Sequence, residues 1–204
     1  KEIYEQAPLI RRYAEEKNDK VQALRDAVSC ARSCVLTGCG SAYHAALLGT
    51  YFAADRAHTN VRVIYPHELE HFQASLRPND LLLCLSQSGE TIDVLDALRV
   101  AHNCSMNTAA LVSVPTSTLA AAADQICTLD AGPEISVLST KAFLAMLARL
   151  ASLFAPSVSE TTAAFAEASN EIEKVLTPEY RRNIRRLAES LKDARSLFVI
   201  GAGV

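Results

Sequence analysis

Five short apolar runs punctuate the middle of the chain: CVLTGCG (34–40), VRVIYP (61–66), DLLLCLS (80–86), AALVSV (109–114) and QICTLD (125–130). Each is short and nearly continuous in apolar residues, the pattern of a strand covered on both faces. Helical spacing fills the gaps. YHAALLGTYFAADRA (43–57) and TIDVLDALRVAH (91–102) carry an apolar face, HELEHF (67–72) and STLAAAAD (117–124) predict short helices, and STKAFLAMLARLASLFA (139–155) predicts a long apolar one. Residues 1–31 predict two helices broken near Asn18-Asp19, and two more follow at about 159–176 and 178–193.

Strands alternating with helices imply parallel βαβ units. The expected fold is therefore α/β: a doubly wound five-stranded parallel sheet flanked by helices, with ligands bound beyond the carboxyl ends of the strands. The chain divides into N-terminal helices (1–31), one α/β domain (32–155), connecting helices (156–193) and a final segment (194–204). That segment repeats an earlier one. ARSCVLTGCG (31–40) and ARSLFVIGAG (194–203) align without a gap, so 194–204 is expected to be the first strand of a second copy of the domain. A strand without its sheet is not a domain, and the polypeptide is expected to continue past Val204.

Apolar residues make up 50% of the 204, charged residues 21%, and the net charge is −3. That balance suits a globular protein and disfavours nucleic acid or anionic membrane as the main partner, since both select basic surfaces. No apolar run is long enough to span a bilayer, and the opening KEIYEQ lacks the apolar core of a signal peptide. Of six cysteines, Cys34, Cys84 and Cys127 fall in or beside apolar strands, Cys30 and Cys104 near helix ends, and Cys39 in a Gly-Cys-Gly turn. With no CxxC pair, they are expected to be free thiols in a reducing, cytoplasmic setting.

Two stretches offer chemistry. His67-Glu68-x-x-His71 has the spacing of a zinc protease. At about 100° per residue the two histidines share one helix face, nearly opposite a stripe of Leu69, Phe72 and Leu76. They should point to solvent, and no third ligand is near: position 77 is Arg, and Glu90 lies beyond a buried strand. No metal is expected. The second stretch is LSQSGETIDVL (85–95), where the hydroxyls of Ser86, Ser88 and Thr91 cluster at a strand end that turns, through Gly89, into a helix. Hydroxyls, a tight turn and a helix N-terminus together suit a phosphate, against a plainer reading in which the serines only cap and turn the chain. The loop holds no Lys or Arg and no GxxxxGK[ST], which favours a phosphomonoester over a nucleoside triphosphate. In GCGSAYHA (38–45), Tyr43 stands where a dinucleotide fingerprint needs its third glycine, so no nucleotide cofactor is expected, and Ser41 reads as one more hydroxyl beside the same pocket.

The order KEIYEQ, GCGSAYHA, LSQSGET and AGPEISVLSTKAF resembles the sugar isomerase (SIS) domain family. It is most similar to the isomerase part of the glutamine–fructose-6-phosphate aminotransferases and to the related glucosamine-6-phosphate deaminases. The resemblance implies tandem domains, a homodimer and a bound hexose 6-phosphate, with interconversion of fructose 6-phosphate and glucosamine 6-phosphate. A deaminase or a non-catalytic sugar-phosphate sensor are its alternatives. It places Ser86, Gln87, Ser88 and Thr91 on the phosphate, Val137 and Ser139 along the sugar, and Ser41-Ala42 where relatives carry Thr-Ser, so one hydroxyl is missing. It also puts the family's catalytic groups outside this chain. Within the chain, Glu134 and Lys141 are candidates for base and amine, against a capping role for Glu134 and an edge-covering role for Lys141. His44 and Tyr43 are expected to be packing residues.

Overall fold

The computed structural model describes residues 1–16, 19–54 and 60–201. Five strands, β1 (Ser33–Gly38), β2 (Asn60–Val63), β3 (Leu81–Ser86), β4 (Asn107–Val112) and β5 (Gln125–Thr128), form one all-parallel sheet in the order β2-β1-β3-β4-β5. Each register follows from parallel pairing, Leu36 lying against Val63 on one side and Leu83 on the other. The order reverses between β1 and β3, which opens a crevice at their carboxyl ends.

Alternation along the strands builds two cores. Cys34, Leu36, Leu81, Leu83 and Leu85 face a layer made by α1 (Gln6–Glu15), α2 (Asp19–Cys30), α3 (Ser41–Ala54), α6 (Lys141–Phe154) and α7 (Val158–Val175). Val35, Leu82 and Cys84 face α4 (Ile92–Asn103), α5 (Thr118–Ala122) and a 3-10 helix at Pro66–Ser75. All six cysteines are unpaired, and burial pushes the Cys34 and Cys84 thiols up to about 12. Among the described residues no helix is long and apolar enough to cross a membrane.

The N-terminal helices are not an appendage. Ile10, Tyr13, Leu24 and Val28 sit in the same apolar cluster as β1 and β3, and the buried Ser169 hydroxyl of α7 donates to the Ala7 carbonyl at 2.9 Å. The predicted break between α1 and α2 falls partly on residues 17–18, and the predicted end of α3 on residues 55–57, outside the described residues. The long apolar helix 139–155 is α6, and it is internal. Its apolar residues pack on α3, α2 and α1, so it offers no broad free face to a second subunit.

Two expectations change. The HELEH segment is a 3-10 helix whose turns close through bonds such as Glu68 N–H to Tyr65 O at 3.0 Å. At three residues per turn, positions four apart diverge by about 120° instead of about 40°. His67 and His71 therefore leave the common face, and Phe72, placed in the apolar stripe, is exposed while Leu69 and Leu76 are buried. Among the described residues no three His, Cys, Asp or Glu side chains converge as a metal site would require. The segment 195–200, expected as a strand, adds to neither edge of the sheet, and Leu197, Phe198, Val199 and Ile200 are exposed. A strand takes its hydrogen bonds from a neighbour, and here it has none. The helix predicted at about 178–193 is present as α8 (Pro178–Leu191), and it is exposed along its whole length.

Candidate functional site

The crevice at the switch point holds a cavity of about 200 Å³ lined by Cys39, Ser41, Ala42, Leu85, Ser86, Gln87, Ser88, Thr91, Ser139 and Met146. Three connections build it. After β1, the chain turns at Gly38, where a side chain would press on the Leu85 carbonyl and on Ala42, each 3.0 Å from an added Cβ. That close approach seats the first turn of α3, with Ser41 and Ala42, against the end of β3.

After β3, the loop folds around its own hydroxyls. The buried Ser86 Oγ accepts from Gly89 N–H at 3.0 Å and lies 3.2 Å from Thr91 Oγ1. Ser88 Oγ accepts from Glu90 N–H at 3.2 Å. The loop is buttressed from outside: Gln87 and Gly89 carbonyls accept from Ser113 and Leu119 amides at 3.1 and 3.0 Å, and the Glu90 carboxylate accepts from Thr118 N–H at 2.8 Å. That bond holds the Glu90 carboxyl below its ordinary range. Thr91 is the N-cap of α4, yet its hydroxyl turns to Ser86 and no side chain caps the helix. The first-turn N–H groups of α4 therefore face the crevice without a side-chain acceptor.

After β5, residues 129–140 bring Ser139 to the cavity. Glu134 caps α6, its Oε1 accepting from the amides of Thr140 and Lys141 at 2.7 Å each. Lys141 is buried and paired with Glu5. Both candidates for base and amine thus have structural partners, and neither lines the cavity.

The electrostatics suit an anion without a cation. Among the described residues no charged side chain lines the cavity, while the start of α3 and the uncapped start of α4 both point positive dipole ends at it. Asp93, on the first turn of α4, lies 3.9 Å from Cys39 Sγ. Burial first, and then Asp93, pushes the Cys39 thiol up, so it stays protonated and is no nucleophile.

Seven of the eight residues expected to bind substrate meet here: Ser41, Ala42, Ser86, Gln87, Ser88, Thr91 and Ser139. Val137 does not. Its side chain is fully exposed, and just before it the Ile135 and Ser136 amides bond to the Glu2 carboxylate. His44 is exposed on α3, and Tyr43 is half-buried and stacked on Tyr65 (centroids 3.6 Å apart, planes at 7°), so neither is a core residue. Cys39, Leu85 and Met146 escaped the sequence reading. Met146 is on the buried side of α6, and no local pattern in the sequence marks it as a cavity residue.

The SIS domain family profile matches residues 27–156. The chain is 36% identical over 159 residues to the isomerising glutamine–fructose-6-phosphate aminotransferase of Rhizobium meliloti, covering 75% of this chain and 26% of that protein. Against the Thermotoga maritima enzyme of the same name it is 32% identical over 177 residues, covering 82% and 29%. The chain thus spans less than a third of the curated relatives it matches. Two solved structures share its fold. The C-terminal domain of glucosamine-fructose-6-phosphate aminotransferase from Francisella tularensis superposes with TM-score 0.75 at 23% identity, over 94% of this chain and 58% of that one. The sugar isomerase domain of an RpiR transcription factor from Sphaerobacter thermophilus gives 0.60 at 20% identity, over 78% and 87%. With the family profile matched over residues 27–156 and curated relatives 32–36% identical over three quarters or more of its length, the chain belongs to the SIS domain family.

Proposed function

We propose that this chain is the sugar-phosphate-holding unit of an enzyme that forms glucosamine 6-phosphate from fructose 6-phosphate. The observation that carries the reading is the crevice between β1 and β3, where hydroxyls surround a helix N-terminus that has no side-chain cap. A phosphate dianion there would take the free N–H groups of α4 and the hydroxyls of Ser86, Ser88 and Thr91. The relatives named for that aminotransferase support the choice of hexose.

The cavity also limits the role. Apart from the Cys39 thiol it is lined by no group able to carry a proton at neutral pH, since Glu134 and Lys141 are engaged elsewhere. Proton transfer between C1 and C2 needs an acid and a base beside those carbons. In this proposal the crevice anchors the non-reacting phosphate end, and the groups that act at C1 and C2 come from outside residues 1–204. Anchoring restricts the sugar's motion, which is itself a rate contribution once those groups are present.

The test is calorimetry and thermal unfolding with fructose 6-phosphate, glucosamine 6-phosphate and unphosphorylated fructose. Both phosphates should bind and raise the unfolding temperature, and fructose should do neither. The double substitution Ser86→Ala, Ser88→Ala should remove the protection. Protection that survives it would place the phosphate elsewhere.

A further inference from the structure

Besides Ser139, the sugar side of the cavity depends on the β5–α6 connection, and that connection is gripped by residues from the start of the chain. The first 3-10 turn, Glu2–Glu5, lies against it. The Glu2 carboxylate accepts the backbone N–H groups of Ile135 and Ser136, the latter at 3.2 and 3.3 Å to its two oxygens. Glu5 pairs with the buried ammonium of Lys141, at the first position of α6. Farther along α1, Arg12 donates to the Asp130 carbonyl and Tyr13 to that of Leu129. These bonds join residues more than 110 positions apart in the sequence.

The connection needs such support. Residues 135–138 have no regular structure, and Ile135, Val137 and Leu138 expose their apolar side chains. Its inner end is fixed by Glu134 on the α6 amides, and its middle by Glu2. Ser139, the cavity residue, sits between these two anchors. A carboxylate that accepts two adjacent amides defines the direction of the backbone there, and charge-assisted bonds of this kind are the stronger ones.

We infer that Glu2 and Glu5 are positioning residues: the first turn of the chain is a clasp that sets the β5–α6 connection, and with it Ser139, at the distance a sugar bound by its phosphate requires. This rests on the reading of the crevice as a sugar-phosphate site. Glu2 touches no ligand in it and acts through Ile135 and Ser136. The phosphate loop, built from β3 and α4, has its own supports and is independent of the clasp.

Two measurements on the full chain test it: amide hydrogen exchange at Ile135 and Ser136, and calorimetric affinity for fructose 6-phosphate and for inorganic phosphate. Glu2→Ala should speed exchange at both amides and weaken fructose 6-phosphate binding about tenfold, while inorganic phosphate binding stays within about twofold. Glu2→Gln keeps a carbonyl acceptor and should recover most of the protection and affinity. Glu5→Gln should weaken sugar binding in the same direction. Unchanged exchange in Glu2→Ala overturns the clasp. Faster exchange with unchanged fructose 6-phosphate affinity overturns its positioning role. A wild-type chain that protects both amides but binds no fructose 6-phosphate overturns the functional reading alone and keeps the clasp.

Discussion

Gly89 meets three demands at one residue. Its φ of +69° lies in the left-handed region, its N–H goes to Ser86 Oγ and its carbonyl takes Leu119 N–H. A Cβ there would overlap Ser117, whose hydroxyl caps α5. Gly89→Ala should therefore destabilise the fold by about 1–3 kcal/mol from backbone strain alone, with the overlap added. Adding Ser117→Gly should restore the part due to overlap and leave the part due to φ. Urea denaturation of the three variants separates the two, and an unchanged midpoint in Gly89→Ala would refute the account. Such residues were legible from sequence, because hydroxyls and a glycine at a strand end are a local pattern. Partnerships across the chain were not. Nothing near Lys141 announces that its ammonium is matched by Glu5, and nothing near Val137 announces that Glu2 takes the two amides before it.

The helices show what a repeat is worth at the scale of elements. The gapless match of 31–40 with 194–203 extends backward into the preceding helices. Val21, Leu24 and Val28 of α2 stand where Ile184, Leu187 and Leu191 stand in α8. In α2 this stripe is packed, with Leu24 and Val28 buried in the core; in α8 all three are exposed. The same pattern is thus satisfied once and left open once. The stability of the chain should follow burial and ignore pattern. Leu24→Ala should cost about 2–5 kcal/mol, and Leu187→Ala within about 0.5 kcal/mol. A comparable loss at both sites would mean that α8 is packed in solution. The strands were equally legible, since burial on both faces writes a continuous apolar run. Their order was not, because neighbours such as β1 and β3 are chosen by how the intervening helices pack. The 3-10 form of Pro66–Ser75 also escaped, as four apolar positions in a short segment fit either helical period.

At the scale of the whole molecule, the two cores share their strands, so they cannot melt separately. Each of β1, β3 and β4 sends alternate side chains to both. The N-terminal helices join the larger core, with Ala7, Leu9, Ile10 and Tyr13 buried, and α7 closes over them through Phe165 and Ser169. Removing residues 1–15 would take away these four buried side chains and uncover the core residues they pack against, and a fully buried Leu or Ile alone contributes about 1.5–3 kcal/mol. Against a total of about 5–15 kcal/mol, that loss should leave the rest largely unfolded. Removing residues 178–204 takes away, among the described residues, only exposed ones, with the contact of Arg181 and the Tyr4 ring at 5.6 Å, worth about 0.5–1 kcal/mol at an exposed site. The shortened chain should unfold in one transition, with a midpoint close to that of the full chain, and should still be protected by fructose 6-phosphate. Calorimetric scans of both deletions decide the matter. If 16–204 stays folded and cooperative, the first turn and α1 are accessory to the stability of the rest of the molecule. If 1–177 unfolds early, α8 contributes packing that its exposure does not reveal.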